Sequence, residues 1–187
     1  MVKDWYFILG MVGITLLEET NQTITVFLNQ LQYVKCGMEP KTMGYVFIMV
    51  TLSGIAGGIW SCRLNKKMGI LPFSIALFLC GSMSCLVLFQ TNSGLLSVLG
   101  IVSLRLASSL FGPLKARLQN CRVTSTDRAT VLSIYAVIGE ACGTGTNLIF
   151  GKAAAADLTF AMLWGSLLCT VGGILFVISH LKTIHDN

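Results

Sequence analysis

The chain has 187 residues, of which 54% are hydrophobic and 11% charged, with a net charge of +5. Soluble domains carry about a quarter charged residues, so this composition excludes an ordinary water-facing surface and points to an outer face that meets lipid. The positive balance does not signal a nucleic-acid partner, because the basic residues fall at the ends of apolar segments, where membrane orientation signals belong.

A spanning helix needs about 20 predominantly apolar residues at roughly 1.5 Å each. Six segments reach that length, so the sequence predicts an all-α membrane protein, a single six-helix transmembrane domain over 1–187. The first segment covers 5–34. It continues into Glu18-Glu19-Thr20-Asn21-Gln22 without a small-residue cleavage site, so it reads as mature protein rather than a signal peptide. Trp5, Tyr6 and Tyr33 lie near its ends, as interfacial anchors do. At about 100° per residue, Glu18, Gln22, Thr25, Asn29 and Gln32 share an arc about 80° wide, with Thr15 beside it. Hydrocarbon does not accept such a stripe: insertion scales assign about 2.5–3.5 kcal/mol to a single central Asp. It must therefore face protein or a water-filled cavity. Glu19 lies about 100° from Glu18, which leaves one of the two carboxylates to meet a neighbouring helix.

Breakers from Gly37 to Pro40 precede the second segment, 42–61, in which Gly54 and Gly58 stand four apart as close-packing glycines do. A basic connection from Arg63 to Gly69, with Lys66 and Lys67, leads to the third segment, 71–90. After Thr91 to Gly94 the fourth covers 94–120 and carries Arg105 about halfway along. Arg122 to Asp127 separate it from the fifth, 129–151, where Glu140 is central, Thr144 and Asn147 continue its face, and Gly139 and Gly143 repeat the spacing of four. Lys152 to Asp157 lead to the sixth, 158–181. Connections this short make sequential helices antiparallel neighbours. Alternating orientation puts Glu18, Arg105 and Glu140 at similar depths, so Arg105 is expected to pair with Glu18 or Glu140.

Orientation follows from the basic residues. Lys3, Arg63, Lys66, Lys67, Lys115, Arg117, Arg122, Arg128 and Lys182 fall on one side, against Lys35, Lys41 and Lys152 on the other. The imbalance places both termini in the cytoplasm of a multi-pass protein of the plasma or inner membrane. The seven cysteines are odd in number and form no C-x-x-C pair, so they support neither a disulfide framework nor a metal site. No H-E-x-x-H or G-x-S-x-G occurs, and His180 and His185 lie in the tail, which argues against an intramembrane enzyme and leaves no cofactor implied. Two readings of the polar constellation remain: charges that lock helix packing, or a polar pathway with a carboxylate carrying protons.

Certain runs resemble the major facilitator superfamily, specifically its carboxy-terminal six-helix half. These are Gly112-Pro113-Leu114, Ala116-Arg117-Leu118-Gln119-Asn120, and Ser125-Thr126-Asp127-Arg128-Ala129-Thr130-Val131-Leu132-Ser133, similar to the basic cytoplasmic loop and the opening of the penultimate helix in that family. Gly58-Ile59-Trp60-Ser61-Cys62-Arg63-Leu64-Asn65-Lys66-Lys67-Met68-Gly69 looks like the second copy of its cytoplasmic loop motif, and Phe27-Leu28, Gln30 and Gly37 resemble the end of its seventh helix. Cys62 stands where that loop motif has an acidic residue, which leaves Arg63, Lys66 and Lys67 to set topology; Gly69 and Arg128 are the remaining residues assigned to the cytoplasmic loop motif. The resemblance implies secondary active, proton-coupled transport of a small solute with no ATP site. Because family members have twelve helices, it also implies a partner: a second six-helix half on a separate chain or in a homodimer. The alternative is a truncated or non-transporting membrane fragment or assembly subunit. Depth and face nominate Glu18, Gln22, Asn29, Arg105, Glu140 and Asn147 for the pathway.

Overall fold

In this computed structural model the described residues are 2–122 and 128–185, and all their regular structure is helical. The run Ser125-Thr126-Asp127 lies outside them, as do the side chains of Lys3, Arg122 and Arg128. The chain opens as a continuous rod made of α1 (Val2–Gln22), a π-helical stretch (Thr23–Leu28) and α2 (Asn29–Lys35). Thr23, Ile24, Thr25 and Val26 are β-branched in succession, and their stiff side chains crowd the preceding turn where the helix widens. The rod ends at Gly37, whose φ of 70° permits Met38 N–H to donate to Tyr33 C=O at 3.0 Å and Gly37 N–H to Val34 C=O at 2.9 Å.

Extended Glu39 and then Pro40, whose missing N–H costs nothing in a first turn, start α3 (Pro40–Met68). Four further helices follow: α4 (Ile70–Gln90), α5 (Gly94–Arg122), α6 (Arg128–Ala156) and α7 (Leu158–His185). Gly69 alone joins α3 to α4, and Asp157 alone joins α6 to α7. Arg63, Lys66 and Lys67, expected in a connection, instead form the last turns of α3. Basic side chains suit a helix C-terminus, and the break waits for Gly69 at φ 84°.

α1 lies antiparallel to α7, with Gly10 against Ser179 and Gly13 against Gly172. α4 runs antiparallel to α7 through Ser82, whose hydroxyl shares hydrogen bonds with Ser166 at 2.9 Å and Thr170 at 3.0 Å. Phe78, Phe111 and Phe176 join α4, α5 and α7, with ring centroids 5.2 to 5.9 Å apart. At the other end Gln32 donates to Ser97 at 3.1 Å and to the Thr91 carbonyl, tying α2 to the start of α5. Two helices flank this four-helix centre: α3 beside α5, where Ser61 donates to the Leu110 carbonyl, and α6 beside α1.

Exchanging the first three helical rods (α1–α2 rod, α3, α4) with the last three (α5, α6, α7) leaves this pattern of neighbours unchanged. The rod pairs with α7 as α5 pairs with α4, and α6 flanks the rod as α3 flanks α5. Each half contains an odd number of helices, so the two are inverted with respect to each other, an arrangement many membrane carriers are built on.

Four helices are long and apolar enough to cross a bilayer: Pro40–Met68, Ile70–Gln90, Gly94–Cys121 and Leu158–Lys182. The chain is thus an all-α, multi-pass membrane protein. The six spans expected from length narrow to four by composition, because the first rod and α6 carry their polar residues within the apolar stretch.

Candidate functional site

The polar residues of α1 and α6 meet at one place. Thr15, Glu18 and Glu19 from α1, Lys115 and Gln119 from α5, and Tyr135, Gly139 and Glu140 from α6 line a cavity of about 360 Å³. α1 and α6 run parallel here, since Phe7 packs against Tyr135, ring centroids 5.4 Å apart and tilted by 57°, while Glu19 lies against Gly143. Gly143 matters to that fit: a Cβ on it would come within 2.9 Å of the Glu19 carboxylate.

Lys115 Nζ donates to Glu18 Oε2, with a quarter of each side chain exposed. Ion pairing and hydrogen bonding coincide in that contact, which offsets part of the cost of placing both charges in a low-dielectric setting. Three carboxyl groups face one ammonium on this wall. Such a wall attracts cations, protons among them.

The other nominated residues disperse. Gln22, one turn past Glu18, is exposed. Asn29 is buried, accepts from Gln30 N–H at 2.7 Å, and borders a separate cavity of about 410 Å³ with Tyr33, Met43 and Phe47. The π-helical stretch separates Glu18 from Asn29: a π turn takes about one residue more than an α turn, so a face drawn at α spacing does not survive it. Asn147 accepts from the Thr23 hydroxyl at 2.9 Å, fastening α6 to the first residue of that stretch.

Arg105 pairs with neither Glu18 nor Glu140. It lies against Gly54 of α3, where a Cβ would come within 2.9 Å of its Nε. Lys115, about 15 Å further along the same helix at 1.5 Å per residue, is the cation that reaches Glu18. No protein-family profile, curated protein or solved structure matches this chain.

Lys115 and Glu19 are the residues that the sequence argument placed elsewhere. Lys115 counts as an end charge by position, yet its long stem lets the ammonium reach inward. The angular offset of Glu19 from Glu18 pointed one carboxylate at a neighbouring helix, and Glu19 does lie against Gly143 of α6, yet the two carboxylates are not parted: both line the same cavity. The expected small-residue pairs split as well. Gly54 and Gly143 each meet a charged side chain, whereas Gly58 and Gly139 have nothing within 4 Å of an added Cβ.

Proposed function

We propose that the chain is a half-bundle of the major facilitator type, crossing the membrane six times with both termini in the cytoplasm. Its role in this reading is secondary active, proton-coupled transport of a small solute. The observation that carries the proposal is the convergence of Glu18, Glu19, Glu140 and Lys115 on one cavity formed by α1, α5 and α6. Charges in such positions are expensive, and they mark ion and substrate routes. The inverted exchange of helix neighbours supports the same reading, because alternating access is commonly built on such repeats. Glu140, Thr144 and Asn147 are exposed on one face of α6. That face needs a cover other than lipid, and a second six-helix half, on another chain or on a second copy, supplies it.

A non-transporting assembly subunit is the second reading, favoured by the Lys115–Glu18 pair, which ties α5 to α1 as a structural lock would. Vesicles reconstituted with the chain and its partner half, or with the chain alone, distinguish the two. Uptake of a labelled solute panel should depend on an imposed proton gradient and fall at least tenfold in Glu19→Gln or Glu140→Gln. Uptake that ignores the gradient, or variants that transport like the parent, would remove the carrier reading.

A further inference from the structure

We infer that Arg105 is an oxyanion-binding residue: it receives the carboxylate or phosphate group of the transported solute at mid-depth in the membrane. This deepens the carrier reading and rests on it. Arg105 lies midway along the span Gly94–Cys121 and is half-buried, with no ion pair or hydrogen bond among the described residues. An arginine remains charged in proteins, so it cannot shed its proton to escape the low dielectric. A charge at that depth takes a counter-ion from the protein or from a ligand. No described carboxylate pairs with it: Glu18 pairs with Lys115, and Glu19 and Glu140 line the cavity at the Lys115 level of α5, which Arg105 does not line.

The setting holds the guanidinium ready. Gly54 leaves bare α3 surface for it to rest on, with Ser109 Oγ 3.3 Å from the same missing Cβ. Gly112, two turns along the same face of α5, has open space beside it, so that face is not closed by packing. Pro113 has no N–H to give the Ser109 carbonyl, which keeps that part of the helix polar. The exchange that relates α1 to α5 and α6 to α3 relates two helix pairs that each hold a charged side chain against a glycine, Glu19 against Gly143 and Arg105 against Gly54. Each inverted half therefore presents one charged side chain seated on a glycine of the other half's flanking helix, a carboxyl in one case and a guanidinium in the other. A planar guanidinium fixed in this way offers two parallel donors to an oxyanion, which a lysine does not.

Thermal unfolding of the purified, detergent-solubilised chain tests this with sodium acetate, sodium phosphate and sodium chloride at equal ionic strength. Acetate or phosphate should raise the unfolding midpoint by a few degrees over chloride in a dose-dependent way. The rise should vanish in Arg105→Gln, weaken in Arg105→Lys and weaken in Gly54→Ala, which keeps the charge but displaces it. Arg105→Lys and Gly54→Ala carry the comparison if Arg105→Gln does not fold. A larger rise with phosphate than acetate points to a phosphorylated solute, and the converse to a carboxylate. No rise over chloride, or an equal rise in Arg105→Gln, overturns the inference. So does a change of particle mass in Arg105→Gln without any anion effect, which would make Arg105 a contact between copies. Anion binding without transport defeats only the carrier reading, and transport without anion binding defeats only this one.

Discussion

Glu18 finds its counter-ion in Lys115, and the pair holds α1 to α5 at the cavity wall. Removing one partner strands the other, three-quarters buried, without its counter-ion. Lys115→Met should therefore destabilise the protein by about 1–3 kcal/mol, below the range for fully buried pairs because each side chain is a quarter exposed. The double variant Lys115→Met with Glu18→Gln should recover much of that loss, and a thermal double-mutant cycle in detergent reads the coupling directly. Asp157 offers a pH test outside the spans. Its carboxylate accepts from Thr159 N–H at 2.8 Å and caps α7, and the Thr159 bonds hold its pKa below the usual carboxylate range. A depressed pKa contributes stability above the unfolded value, and that contribution disappears as pH falls through the folded value. The gap between parent and Asp157→Ala melting temperatures should thus be full at pH 7 and close as the pH drops below the carboxylate range. The polar stripe at this scale was legible as a requirement, that Glu18 and its neighbours be shielded, but not as a set of partners. Depth along a helix does not say how far a lysine stem reaches, and nothing in Thr23-Ile24-Thr25-Val26 gives the size of the rotation the π-helical stretch introduces.

Helix existence was readable from apolar length, and four helices retain that status as spans. The break at Gly37 was readable too, since its left-handed φ is one that glycine adopts without strain. The contact surfaces were not. A spacing of four glycines places them on one face without saying which face meets a neighbour, and the closest crossing lies at Gly13 and Gly172. A Cβ on Gly13 would sit 2.4 Å from the Gly172 carbonyl oxygen, and one on Gly172 would sit 2.6 Å from that of Gly13. Both obstacles are backbone, so neither can swing aside. Gly13→Val and Gly172→Val should each cost at least about 1–3 kcal/mol or prevent assembly, as overpacking does. Gly58→Val, in open space, should leave the melting temperature within a degree or two of the parent. Equal effects at Gly13 and Gly58 would mean that α1 and α7 do not cross as described. The basic run of Arg63, Lys66 and Lys67 teaches a related point: charge marks the end of a span, while the helix itself stops where the backbone requires glycine.

For the whole molecule, the inverted exchange of neighbours organises what the segments separately do not show. It was invisible in the sequence because the two halves match in which helices neighbour which rather than in residue type: one flanking pair sets Glu19 on Gly143, the other Arg105 on Gly54. Orientation can be checked with the native thiols. Cys62 and Cys121 are exposed near the same end of the parallel pair α3 and α5, whereas Cys85 and Cys169 are buried. With both termini cytoplasmic, a membrane-impermeant maleimide should label Cys62 and Cys121 in inside-out vesicles and spare them in intact cells. Labelling from outside the cell would reverse the proposed topology.

The single-residue joints at Gly69 and Asp157 occupy matching places in the two halves. A hinge one residue long has no slack, so a pull on α3 passes at once to α4, and a pull on α6 to α7. The molecule then behaves as two stiff tongs gripping a pair of central posts, and any rocking has to be shared by both arms of a tong. Two extra glycines after either joint would decouple its arms, which spin labels on α3 and α4, or on α6 and α7, would register as a broadened distance distribution.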